Sequence, residues 1–465
     1  MAVALLSGVF SGCSDRGRHD EPTMGENEIN LFFRVQMPMR SRAATPLPAE
    51  QIRSLRVVMV DLGVSSDGQW LNEPFVEFNQ MLTNGQFTVP SNDGSITENG
   101  MQGVHRNDGI VEVNIPRIQA DKRKKMYIII NAEPAWQPSL NLRLADGTPV
   151  SGYGDESLFL PDANGSAPIE NAVFVAPRGS YINNELPAGE ELLTPMTAFY
   201  EFSVPSLKYI EEKYPTFNPR LTYPLPGELL VVRAVNKVWF EFVNATNQEE
   251  DHTEPLDLLV TNWSLSDVNF GDSYLFGHPE DNDGLFKSYV QNENNLNSPW
   301  MQWIYVEAQR SQTDSPYQWL TDYDMPEGMA NSVLSFSPNK FNGGVPADAD
   351  GIYLKAPATY VGETVKTELL PVYFAESHAA SPQQYEMTFT VYQRDNKGER
   401  WSNPHVYRVT SSPDVNDQDT FHLLSLFRNT DVIMEVRFVT GRTGVEMKVE
   451  VHPYGSVVLE PGFGL

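Results

Sequence analysis

Glu28-Ile29-Asn30-Leu31-Phe32-Phe33-Arg34-Val35-Gln36-Met37-Pro38-Met39-Arg40-Ser41-Arg42-Ala43 sets the terms for the whole chain. Ile29, Leu31, Phe33, Val35 and Met37 alternate with Asn30, Phe32, Arg34 and Gln36, the period of two of a β-strand with one buried face. From Met39 to Pro46 the composition changes to two arginines, small residues and a proline. That change predicts an exposed linker whose backbone a protease can reach. A further strand is expected from about Ile52.

Burying the apolar row of this strand is worth about 7 to 15 kcal/mol at roughly 1.5 to 3 kcal/mol per side chain. That is comparable to the whole stability of an ordinary domain, roughly 5 to 15 kcal/mol. A domain that lost the strand by proteolysis would expose an apolar groove and unpaired strand edges, and would need a replacement. The other end of the chain offers one. Val457, Leu459, Phe463 and Leu465 stand at odd positions with Pro461 completing the row, and Ser456, Val458, Glu460, Gly462 and Gly464 stand at even ones. Proline lacks a ladder donor and glycine weakens a strand. The donor could therefore be Val445 to Val451 plus part of the tail, or the tail could stay on its own domain.

The chain opens with a short apolar run ending in Leu6-Ser7-Gly8-Val9-Phe10-Ser11-Gly12-Cys13, read as the tail of a lipoprotein signal with Cys13 as the lipidated residue. No Lys or Arg precedes Cys13, and a start further upstream would supply the missing positive charge. Residues 14–27, rich in charge, then form a tether.

Asp and Glu number 61 against 33 Lys and Arg, and a net charge of -28 argues against nucleic acid as a partner, since phosphate contacts need clustered cations. Cys13 is the sole cysteine, so stability is expected from core burial rather than an internal disulfide. The length of 465 residues allows two or three domains. No apolar run after Cys13 approaches the length needed to span a bilayer.

Strands are expected at Leu55 to Asp61, Gly109 to Ile115, Met126 to Asn131, Glu190 to Val204 and Leu229 to Val243. More follow at Leu256 to Ser264, Gly351 to Leu354, Leu369 to Ala375, Tyr385 to Tyr392, Val406 to Thr410, Val432 to Thr440 and Val445 to Val451. Pro205 to Gly227 holds five prolines and a short helical stretch at Ser206 to Lys213, and the domain boundary is placed there. The fold expected is all-β, two β-sandwich domains in tandem: residues 43–220 and 221–465. Segment 265–345, with Trp300, Trp303 and Trp319, is either an anchored surface insertion or a binding loop.

No nucleophile elbow, zinc-binding H-E-x-x-H or phosphate-binding glycine loop occurs, so no catalytic residue, cofactor or metal is expected. Glu280 to Gly284 and Asp348 to Gly351 look like calcium loops but place Pro279 and Pro346 where the first ligand belongs.

In layout and in several short segments the chain resembles the fimbrillins, or type V pilins, of Bacteroidales, whose best-known member is the FimA-type major subunit. The matching features are Cys13, an acidic tether, the strand from Asn27 to Met39, the Arg42-Ala43 junction and the strand Ser54 to Asp61. The segments Lys125 to Asn131, Leu193 to Thr197, Val232 to Val238 and Arg428 to Gly455 follow in order. The resemblance implies two transthyretin-like sandwiches and a lipoprotein precursor that reaches the outer membrane. It also implies an arginine-specific protease that removes the first strand, and a neighbouring subunit whose C-terminal strand replaces it in a cell-surface fimbria. Carried onto this chain, the cut falls between Arg42 and Ala43 with Arg40 as the alternative, residues 14–42 are a propeptide, Ile29 to Met37 is displaced and Val457 to Leu465 is the donor. The alternative is a tip adhesin or surface lipoprotein that holds a host protein or glycan through residues 265–345, where aromatic rings stack on flat apolar faces.

Overall fold

The computed structural model describes residues 27–36, 50–83, 87–88, 101–105, 110–175, 193–215, 221–225, 229–246, 255–269, 271–276, 331–335, 351–357, 364–368, 371–378, 385–395, 401, 404–410, 425–426, 428, 430–439 and 445–453. Cys13, Met37, Arg40, Arg42, Ala43, Val457, Leu459, Phe463 and Leu465 lie outside these residues, as do Trp300, Trp303, Trp319 and the segment Glu280 to Gly284.

The fold is all-β, with one short α-helix among the described residues, α1 at Leu207–Lys213. The first twelve strands are β1 (Glu28–Gln36), β2 (Ser54–Ser65), β3 (Phe75–Thr83), β4 (Phe87–Thr88), β5 (Gln102–His105), β6 (Ile110–Gln119), β7 (Lys122–Ile130), β8 (Val173–Val175), β9 (Met196–Val204), β10 (Thr222–Pro224), β11 (Leu229–Leu230) and β12 (Val232–Arg233). One sheet runs β10-β1-β6-β5-β4, with β11 also on β1, and a second runs β12-β9-β7-β2-β3. The alternating apolar residues of both sheets meet in a single core that includes Leu31 and Phe33 of β1, Val113 of β6, Val57 of β2 and Ile128 of β7.

The remaining strands are β13 (Asn236–Ala245), β14 (Leu256–Asn269), β15 (Asp272–Tyr274), β16 (Asn331–Ser335), β17 (Ile352–Leu354), β18 (Val365–Glu368), β19 (Val372–Phe374), β20 (Ser377–His378), β21 (Glu386–Asp395), β22 (His405–Thr410), β23 (Ser425–Leu426), β24 (Thr430–Val439) and β25 (Val445–Pro453). They build a β18-β13-β24-β25 sheet with β19 on β13, and a β16-β14-β21-β22 sheet with β17 on β14. A second core lies between these, where Trp263 packs against Phe240 with ring centroids 4.4 Å apart.

The run Leu229 to Val243, expected as one strand, is three pieces in three sheets. Leu229–Leu230 pairs with β1, Val232–Arg233 with β9, and Asn236–Ala245 opens the third sheet beside β24. Continuous apolar character hides the breaks, because each piece is buried wherever it goes. Thr222 to Arg233 thus pairs wholly within the first two sheets, and the chain passes to the second pair between Arg233 and Asn236.

The two pairs of sheets are joined by more than this crossing. β15 leaves β14 and pairs antiparallel with β8. A third apolar cluster takes Tyr127 and Phe159 from one side and Leu275, Phe276 and Tyr373 from the other, with the Tyr127 and Phe276 rings 5.8 Å apart. Arg428, fully buried, donates to the carbonyl of Tyr274 and to Glu376, each at 2.6 Å.

Candidate functional site

β1 is an interior strand with a neighbour on each side. Against β6 it runs antiparallel, Leu31 opposite Ile115 and Val35 opposite Val111, with a bulge between Ile29 and Leu31. Against β10 and β11 it runs parallel, Leu31 beside Tyr223 and Val35 beside Leu229. Its backbone is therefore bonded in both directions: Asn30 N donates to Leu221 O and Leu225 N donates to Phe32 O, both at 2.8 Å.

The side-chain alternation falls where the sequence places it. Ile29, Leu31, Phe33 and Val35 are each 0% exposed, while Arg34 on the opposite face is exposed and pairs with Glu112 at 3.1 Å. Asn30, expected on the solvent side, is buried as well. Four fully buried side chains of this size are worth about 6 to 12 kcal/mol. The Arg34 pair, with Arg34 open to solvent, contributes little.

Taking β1 out in thought leaves a slot one strand wide. One wall is β6, the other is β10 with β11, and the floor is the facing sheet with Val57, Met59 and Ile128. Both walls would present unpaired backbone groups toward the gap. What such a slot can accept is a strand, with apolar side chains at every second position on the floor side and main-chain bonding to both edges.

Chain on the downstream side of residues 37–49 is held separately. Glu50 is buried and pairs with Lys237 at 3.1 Å and with Arg233 at 3.1 Å. Burial draws the Lys237 ammonium below its usual range, and the Glu50 carboxylate opposes that pull. Next comes Asn131 in the left-handed region at φ 54, accepting from Arg53 N at 2.8 Å and Ser54 N at 3.3 Å and donating to Gln51 O at 2.8 Å. The segment 50–54 is thereby fixed to the end of β7 and to the crossing between the two pairs of sheets. β1 and Glu50 sit in different sets of contacts, with residues 37–49 as the covalent link between them.

Sequence reasoning found β1 and missed this second anchor. Glu50 looks like a linker charge until Arg233 and Lys237 are brought to it from 183 and 187 residues away, a separation no local pattern reports. The segments Lys125 to Asn131, Leu193 to Thr197 and Val232 to Val238 do meet at this place. Arg233 pairs with Met196, Ala234 N donates to Pro195 O at 2.9 Å, and Thr197 Oγ1 donates to Leu275 O at 2.7 Å.

No family model matches the chain, and no curated protein matches it. Its structural neighbours are cell adhesion and fimbrial proteins of Bacteroidales. A candidate cell adhesion protein from Bacteroides eggerthii is 10% identical with a TM-score of 0.37, over 93% of this chain and 97% of that one. The tip fimbrial protein Mfa3 from Porphyromonas gingivalis, with a C-terminal truncation, is 11% identical with a TM-score of 0.34, over 92% and 100%. A fimbrial protein from Bacteroides vulgatus is 9% identical with a TM-score of 0.36, over 92% and 99%. Likenesses this distant establish no role for the present chain.

Proposed function

We propose that the chain is a structural subunit of a cell-surface fimbria that serves adhesion and polymerises by exchanging strands. It is made as an outer-membrane lipoprotein precursor lipidated on Cys13. Cleavage after Arg42 by an arginine-specific surface protease severs the link between β1 and Glu50. β1, held then only by noncovalent contacts, leaves the slot. A neighbouring subunit's C-terminal residues, with Val457, Leu459, Phe463 and Leu465 as the apolar row, take its place.

The observation that carries this reading is the position of β1, bonded on both edges and buried on its core face, immediately before the segment that holds Arg40 and Arg42. An edge strand could be trimmed with small consequence. Loss of an interior strand leaves two unpaired edges and an apolar floor, which water does not satisfy. Refilling the slot restores about the stabilisation that β1 supplied.

The test is the double substitution Arg40→Ala with Arg42→Ala in cells that express the full chain. The expected result is surface lipoprotein with β1 retained and no filaments. Normal filaments made of the doubly substituted chain would refute the reading.

A further inference from the structure

Inside the first core, three ionisable side chains from adjacent strands meet with almost no access to water. Lys124 of β7 places its Nζ 2.8 Å from Oδ2 of Asp61 on β2 and 2.8 Å from Oε2 of Glu77 on β3, with side-chain exposures of 0%, 1% and 6%. Lys124 and Asp61 stand directly opposite in the antiparallel ladder. Glu77 is the extra residue of a bulge, since Met59 pairs with Phe78 and Val60 with Val76. A bulge of this kind re-aims a side chain.

One ammonium faces two carboxyl groups, so the fully ionised set carries a net negative charge in the core. The economical state keeps a proton on one carboxyl. Desolvation pushes Glu77 above its usual range, against the attraction of Lys124, which suits it to carry and return a proton. Asp61 has its two oxygens in different roles. Oδ2 faces Lys124, whereas Oδ1 accepts the backbone N–H of Gly63 at 2.8 Å. Gly63 has φ +69, and a Cβ there would fall 1.7 Å from the carbonyl oxygen of Asn72, so the turn that aims this N–H requires glycine. Glu77 Oε1 is held by the N–H of Gln119 at 2.6 Å, which leaves Oε2 to handle the proton.

We infer that Lys124 and Asp61 become joined by an amide bond, with Glu77 as the acid and base that forms it and the Gly63 N–H as the donor to the developing oxyanion. A proton passes from the Lys124 ammonium to Asp61 within their pair, and the neutral amine attacks Cγ of Asp61. The N–C bond forms and charge collects on Oδ1, where Gly63 receives it. Glu77 gives its proton to the departing Oδ2, the C–O bond breaks, water leaves, and Glu77 recovers a proton from the nitrogen. One ammonium and one carboxylate become one amide and one water, with no oxidation change and Glu77 restored. The product keeps the Gly63 hydrogen bond on the surviving oxygen. It also covalently closes the chain between residues 61 and 124 in a protein with one cysteine, across the sheet that floors the β1 slot.

The measurement is mass spectrometry of the full-length purified protein after denaturation, with a tryptic map that is independent of processing at the N-terminus. The wild-type map is expected to hold a branched peptide that joins the Asp61 and Lys124 segments and is about 18 Da lighter than their sum. Glu77→Gln, nearly isosteric, is expected to give the two peptides separately, as is Lys124→Arg. Should Lys124→Arg fail to fold, Glu77→Gln decides. Recovery of separate peptides from folded wild-type protein, with Lys124 open to an amine reagent in denaturant, would overturn the inference, as would an undiminished branch in Glu77→Gln.

Discussion

Glu50 and Lys237 form a buried ion pair of 3.1 Å between the segment just past the expected cut and the first strand of the second pair of sheets. The pair ties residue 50 to the second pair of sheets. Removing one member of a buried pair strands the other charge in the core, which costs about 3 to 5 kcal/mol. Glu50→Gln, which leaves Arg233 and Lys237 side by side, should lower the urea-unfolding free energy by about that amount. A loss of under roughly 1 kcal/mol would place the pair among weak surface-like contacts.

In the uncut protein β1 should be the strand most sensitive to truncation on its core face. Phe33→Ala is expected to cost about 3 to 5 kcal/mol, whereas Arg34→Ala on the exposed face should cost less than about 0.5 kcal/mol. After cleavage and loss of β1 the difference between the two variants should vanish. Denaturant titration before and after protease treatment checks both statements.

Truncation of residues 457–465 should leave the precursor's unfolding curve unchanged and abolish elongation of fibres on cells. A tip subunit without a donor role would instead keep its assembly after the same truncation, so electron microscopy of the truncated strain separates the two roles.

Buried phenols set an alkaline limit. Tyr127 and Tyr153 are pushed well above the ordinary value of 10.0, first by desolvation and then by Glu170 and Glu133 respectively. Their folded-state values exceed the unfolded one, so their contribution is complete below pH 10.0 and is lost as pH rises above it toward the folded-state values. Unfolding free energy should therefore fall steadily above about pH 10, with phenolate absorbance from these two rings appearing only on unfolding. Substitution of Tyr153 by Phe should flatten the decline, at the cost of its 2.7 Å hydrogen bond to Ala132 O. An unchanged slope would assign the alkaline limit to other groups.

The parts of the fold that local chemistry controls were legible in the sequence. Ile29 to Val35 alternate because one face meets the core, and α1 forms at Leu207–Lys213 within the stretch expected to be helical. What escaped is set by distance or irregularity. β3 shows no clean period of two because Glu77 bulges between Val76 and Phe78. The parallel pairing of β1 with β10 and β11 depends on residues some 190 positions away. Val232 and Asn236 read as one strand with Leu229 because apolar composition does not reveal which sheet receives each piece. Of the residues at the candidate sites, the β1 row could be read by counting, while Glu50, Lys124 and Glu77 are charges whose meaning exists only with their partners in place.

The most direct measurement is the N-terminal sequence and mass of subunits stripped from surface fibres. Strand exchange predicts chains that begin at Ala43 and carry no residue of β1. Chains that retain Ile29 to Val35 in the assembled fibre would contradict it.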